Sequence, residues 1–151
     1  MYIVSNIRYD NNSCNFANYQ KILQAKITDI CQKIAFDDAG VAWVIFDAKK
    51  NYSNCINSSF LVGMRGCDYG FFDCKTDEIW ISIDAIQRGF SATSITDKIP
   101  KLIPKPLKKD DFLANVLLDE ITHYQTRANH GTTKYDNKLQ ENIRKYYGLD
   151  L

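Results

Sequence analysis

Apolar residues recur at three- and four-residue spacing between Asn18 and Ala35. Leu23, Ile27, Ile30 and Ile34 share one face there, which predicts an amphipathic helix. Asp37-Asp38-Ala39-Gly40 ends it. The continuous apolar run Val41 to Phe46 is rich in β-formers and predicts a buried central strand. Lys49 to Ser59 is polar and rich in Asn and Ser, so it reads as a loop, and Phe60 to Met64 as a short strand. Tyr69–Cys74 and Glu78–Asp84 flank Lys75-Thr76-Asp77, a polar turn of hairpin length. In the second arm Ile79, Ile81 and Ile83 alternate with Trp80 and Ser82, the pattern of a half-exposed antiparallel strand. Gly89 to Asp97 is irregular.

Lys98 to Asp110 contains all three prolines and five lysines, which excludes a regular helix and predicts an extended surface connection. Asp110 or Asp111 then caps a helix over Phe112–Asn129, with Leu113, Val116, Leu117 and Ile121 as its apolar positions. His130-Gly131-Thr132-Thr133 breaks that helix. Asp136 or Asn137 caps a last helix that ends near Tyr147, before Gly148, with Leu139, Ile143 and Tyr146 as its stripe. The order predicts one α+β domain over residues 1–151: an N-terminal helix, a small antiparallel sheet with an edge hairpin, and two C-terminal helices.

Composition narrows the function. An apolar fraction of 45% with 13% aromatic residues suffices for a core. The formal net charge of +1 removes the compositional argument for a nucleic-acid partner. No apolar run approaches the ~20 residues of a transmembrane segment, and the first residues carry no signal-peptide pattern. A mature secreted product, or a piece of a larger secreted protein, reads the same way. The five cysteines, Cys14, Cys31, Cys55, Cys67 and Cys74, form no CxxC pair, and an odd count cannot pair fully within one chain. That favours a reduced, cytoplasmic chain. Cys31 lies on the first helix's stripe, and Cys67 and Cys74 bracket a Gly- and aromatic-rich segment. Gly63-Met64-Arg65-Gly66 lacks the Gly-Lys-Ser/Thr ending of a phosphate-binding loop.

The chemistry concentrates in Asp119-Glu120-Ile121-Thr122-His123. On a helix Asp119 and His123 are i and i+4, one turn apart on one face, where two ligands can share one metal ion. Glu120, one position along, can reach a metal-bound water without being a ligand. The competing reading is an acid–His pair that adds a few tenths of a kcal/mol to an exposed helix.

This string resembles the active-site helix of zincin metallopeptidases, with Asp119 in place of the first His of H-E-x-x-H. Glu120 matches the catalytic Glu and His123 the second His. The hairpin over Tyr69–Ile86 resembles the edge strand along which zincin substrates lie, which implies substrate contact at Trp80 and Ile81. Gluzincin-like members take a third ligand from a Glu on the next helix, and Glu141 falls near that place. His130 is the other choice. It follows His123 by one residue more than the metzincin spacing, and residue 126 is Thr rather than that pattern's Gly. The resemblance spans Tyr69–Tyr147 and ranks Glu141 narrowly above His130. It implies a Zn2+ (or Mn2+) cofactor and a peptide or protein substrate. Glu120 is the implied general base, and Tyr124, Tyr135 and Tyr146 are candidates to stabilise the oxyanion. A site of Asp119, His123 and a second carboxylate would be anionic, less selective for zinc, and a weaker activator of water. Against Glu141 stands its place off the apolar stripe, where it pairs with Arg144 or Lys145 as a solvated acid.

Two other classes compete. Cys67, between Gly66 and Asp68-Tyr69-Gly70, with His123 or His130 as base, would make a cysteine hydrolase. A catalytically inactive zincin-like domain, or an immunity or adaptor protein, would bind a partner through exposed aromatics. Small size and the family's habits also fit a bacterial effector or toxin piece, delivered to a host or target cell.

Overall fold

The computed structural model describes residues 4–10, 17–47, 69–88 and 111–148. The strand expected at Phe60–Met64, the Lys-Pro connection, and Cys14, Cys55 and Cys67 lie outside them. The chain is α+β, with strands β1 (Asn6–Tyr9), β2 (Ala42–Phe46), β3 (Gly70–Asp73) and β4 (Glu78–Ser82). The helices are α1 (Ala17–Ile34), α2 (Ile83–Arg88), α3 (Phe112–Thr126) and α4 (Thr133–Tyr147). Among the described residues no helix is long and apolar enough to cross a membrane.

Helix α1 buries the predicted stripe of Leu23, Ile27, Ile30 and Ile34. It stops because Ala35 turns left-handed (φ 55°), which lets the Phe36 amide donate to the Cys31 carbonyl at 3.0 Å. The helix also connects β1 to β2, and a helical crossover makes two strands parallel. The sheet is therefore mixed rather than antiparallel throughout. Its order is β1-β2-β4-β3, with β1–β2 and β2–β4 parallel and only the β3–β4 hairpin antiparallel.

The alternation in β4 does not leave a wet face. Ile79 and Ile81 enter the core beneath the helices, and Trp80 on the opposite face is also fully buried. Its ring stacks on Phe71 (5.3 Å, 17°) and tilts against Phe46 (5.8 Å). Trp80 and Ile81 therefore sit on an inner strand, between β2 and β3, and offer no free edge to a substrate. The outer position at that end of the sheet belongs to β3 among the described strands. The chain leaves β4 at Ser82, whose Oγ accepts from the Ala85 amide at 3.2 Å and starts α2 where the strand was expected to continue.

Helix α3 packs over β3, β4 and the other three helices. It comes close to the hairpin because Gly70 has no side chain. A Cβ there would stand 2.9 Å from the Trp80 carbonyl and 3.1 Å from Val116 Cγ1. Asp111 caps α3, its Oδ1 accepting from the Ala114 amide at 3.0 Å.

Candidate metal centre

The site is made where α3 stops. The helix was expected to run to Asn129 but ends at Thr126, because Arg127 is left-handed (φ 55°) and its amide closes on the His123 carbonyl at 2.8 Å. Thr126 supports the turn by accepting the Ala128 amide on its Oγ1 at 3.2 Å. Arg127 then reaches across to the hairpin. It pairs with Asp77 Oδ1 at 2.6 Å and lies over the rings of Phe72 and Tyr124. The β3–β4 turn is thereby tied to the last turn of α3.

This early stop turns the chain back on His123. The Ala128 carbonyl comes to 2.8 Å from His123 Nδ1. A carbonyl only accepts, so Nδ1 carries the hydrogen and the neutral ring presents its lone pair at Nε2. Two residues further on, His130 brings its own Nε2 to 3.1 Å from that of His123. Asp119 Oδ1 lies 3.3 Å from His123 Nε2 and 3.5 Å from His130 Nε2. Among the described residues, the donor atoms of these three all fall within 4.8 Å of one another.

Tyr135 forms the floor. Thr132 caps α4, its side chain accepting from the Tyr135 amide, so the helix begins a turn earlier than the Asp136 or Asn137 start expected from the sequence. That places Tyr135 in the first turn, fully buried. Its ring stacks on His123 (4.5 Å, 24°) and meets His130 edge-on (4.6 Å, 66°), while its hydroxyl donates to Asp119 Oδ1. Asp119 and His123 are nearly enclosed, and the His130 side chain is about half exposed, so the cluster opens toward solvent on that side.

The electrostatics follow from this enclosure. Burial acts to raise the Asp119 carboxyl. With the imidazoles protonated, the hydrogen bond from His123, the charges of both rings and the Tyr135 hydroxyl outweigh it and hold the group below its ordinary value. Burial acts to lower His123, but Asp119 and the Ala128 carbonyl leave it raised. Burial, then the charge of Asp119, pushes the Tyr135 hydroxyl up, so it stays a protonated donor. Glu120 is buried as well, and its charge adds to the upward push on the Tyr135 hydroxyl.

The remaining predicted residues lie elsewhere. Glu141 is about half exposed and holds Lys138 Nζ at 2.8 Å and Lys145 Nζ at 3.3 Å. It stands outside the donor group, because Leu139, Ile143 and Tyr146 turn the other face of α4 inward. The polar residue that α4 does send toward α3 is the neighbouring Asn142. Its Nδ2 donates to Thr122 Oγ1 at 2.9 Å and to Gln125 Oε1 at 2.8 Å. Of the three tyrosines considered, only Tyr135 reaches the cluster. Tyr124 packs against Phe36 and Phe72, and Tyr146 donates to Asp29 Oδ2 at 2.9 Å. The Ala128 carbonyl carries no local sequence signal, and Tyr135, one of the three oxyanion candidates, has none that marks it as a partner of Asp119.

A tetrahedral ion with bonds of about 2.0–2.1 Å holds its ligands about 3.3 Å apart, and the three separations here bracket that value. The donor chemistry fits too. Two imidazoles and one carboxylate are the composition of several catalytic zinc sites, and the bonds that His123 Nδ1 donates to Ala128 and Asp119 accepts from Tyr135 are of the kind that orient ligands. Comparison with protein-family models, with curated proteins and with solved structures finds no match for this chain.

Proposed function

We propose that this chain is a zinc-dependent peptidase-like hydrolase of the zincin kind. Asp119, His123 and His130 are the metal-holding residues and Glu120 is the general base. The observation that carries the reading is the triangle of Asp119 Oδ1, His123 Nε2 and His130 Nε2, with sides of 3.1–3.5 Å. With His130 rather than Glu141 as third donor, the site is not carboxylate-rich. Its two nitrogens and near-tetrahedral spacing favour zinc over manganese, which prefers six oxygen ligands. The open His130 side leaves room for water and substrate.

Bound there, zinc supplies Lewis acidity toward a carbonyl oxygen and a water of lowered pKa. Glu120 takes the proton from the attacking water and returns it to the leaving amine. The Arg127–Asp77 pair keeps the hairpin beside this turn, and β3, the outer strand among those described, is the place for an extended peptide to add by strand pairing.

Elemental analysis of dialysed wild-type protein and His123→Ala tests the metal. Near-stoichiometric zinc that disappears in the variant is the expected result. Glu120→Gln then keeps the zinc and loses cleavage of a mixed peptide library. No metal in wild type, even after zinc is added, overturns the hydrolase and leaves a binding module. Iron in place of zinc points to the oxygen chemistry of two-His, one-carboxylate sites instead.

A further inference from the structure

Placing Asp119 where a histidine is commoner poses two problems. A carboxylate has two oxygens and can bind an ion through either or both, and it adds a negative charge that weakens the pull on a bound water. The oxygen that faces both imidazoles, Oδ1, is also the one that receives the Tyr135 hydroxyl. One lone pair of Oδ1 is thus occupied by a neutral donor, and the other is left for an ion.

The hydroxyl is held by elements that do not depend on an ion. The Tyr135 ring is fully buried, its backbone sits in a first turn capped by Thr132, and the ring stacks on His123 and meets His130 edge-on. One side chain therefore touches all three donor residues.

We propose that Tyr135 is a positioning residue. It holds Asp119 with Oδ1 turned toward both imidazoles and draws charge from that oxygen, so that the carboxylate serves where a neutral imidazole otherwise would. This rests on the metal-site reading above and assigns no direct contact between Tyr135 and substrate.

Tyr135→Phe keeps the ring and its stacking and removes only the hydroxyl. Zinc affinity, measured by competition with a chromogenic chelator at a temperature where both proteins are folded, is expected to fall about 10- to 100-fold. With cobalt as a spectroscopic probe, the visible absorption bands should move, because the carboxylate is freed to bind differently. A purely structural role for the hydroxyl would lower the melting temperature and leave the cobalt spectrum alone. Wild type that binds zinc, with a variant of equal affinity and unchanged spectrum, overturns the inference and leaves the proposed function standing. Wild type that binds neither zinc nor cobalt overturns both.

Discussion

Nδ1 of His123 lies 2.8 Å from the carbonyl oxygen of Ala128, five residues further along the chain. The left-handed turn at Arg127 that stops α3 thus also sets the tautomer of His123 and folds His130 back onto it. Termination of a helix and construction of a donor site are one event here.

On the proposed reading, zinc binding should depend on His130 and not on Glu141. His130→Ala removes one of three donors and is expected to weaken zinc binding more than the roughly 10- to 100-fold typical of an outer-shell change. Glu141→Gln breaks exposed pairs with Lys138 and Lys145 and should leave zinc affinity unchanged. Titration of the two variants in parallel reads this directly, and the reverse ranking would restore Glu141 as the third ligand.

An ion at the cluster ties α3 to the turn before α4, so it should stabilise the folded state. Free zinc at a hundred times its Kd adds about 2.7 kcal/mol to a protein that binds it only when folded. For a chain of this length that is a rise of roughly 5–10 °C in melting temperature. Adding a chelator should reverse it. His123→Ala should melt at the same temperature with and without zinc, and a variant that still responds would place the ion elsewhere.

Much of this fold was legible in local pattern. The stripes of α1, α3 and α4, the run of β2 and the turn at Lys75–Asp77 are short-range signals. Strand β1 is four residues long; Asn6-Ile7-Arg8-Tyr9 alternates exposed with partly buried positions, but over too short a run to stand out. The parallel pairing of β2 with β4 joins Ala42 to Glu78, a long-range choice that periodicity does not encode. Trp80 read as exposed because alternation reports two faces, whereas its burial comes from rings on neighbouring strands. At the site, Asp119 and His123 were legible as an i, i+4 pair. Spacing judged from an unbroken motif places His130 second, whereas the helix ends at Thr126 and its turn resets that distance.

The two described cysteines should differ sharply in reactivity. Burial, followed by the charges of Asp38 and Asp37, pushes the Cys31 thiol up to about 12. At pH 8 about one molecule in ten thousand then carries the thiolate. Cys74 is exposed at the hairpin turn. Alkylation followed by peptide mapping should find Cys74 modified first and Cys31 modified only once the protein is denatured. Equal rates in the folded protein would mean that α1 opens readily.

Acid stability should depend on Glu78. Burial acts to raise its carboxyl, but the hydrogen bonds from Arg8, Thr76 and Trp80, with the charge of Arg8, outweigh it and leave the group lowered. Arg8 Nη2 stands 2.5 Å from Glu78 Oε2 and bridges β1 to β4 across β2. A carboxyl lowered in the folded state contributes stability that is fully present above its unfolded pKa of about 4.3. That stability is lost as the pH falls through the folded value. Arg8 is itself 45% exposed, so solvent screens the pair, and Arg8→Ala is expected to cost about 1 kcal/mol at neutral pH. The same substitution should move the acid-unfolding midpoint to higher pH, because the carboxyl then protonates earlier. Glu78→Gln removes the titrating group and should flatten this part of the pH–stability curve. Acid denaturation followed by circular dichroism measures all three proteins, and identical midpoints for wild type and Arg8→Ala would show that the pair contributes nothing across the sheet.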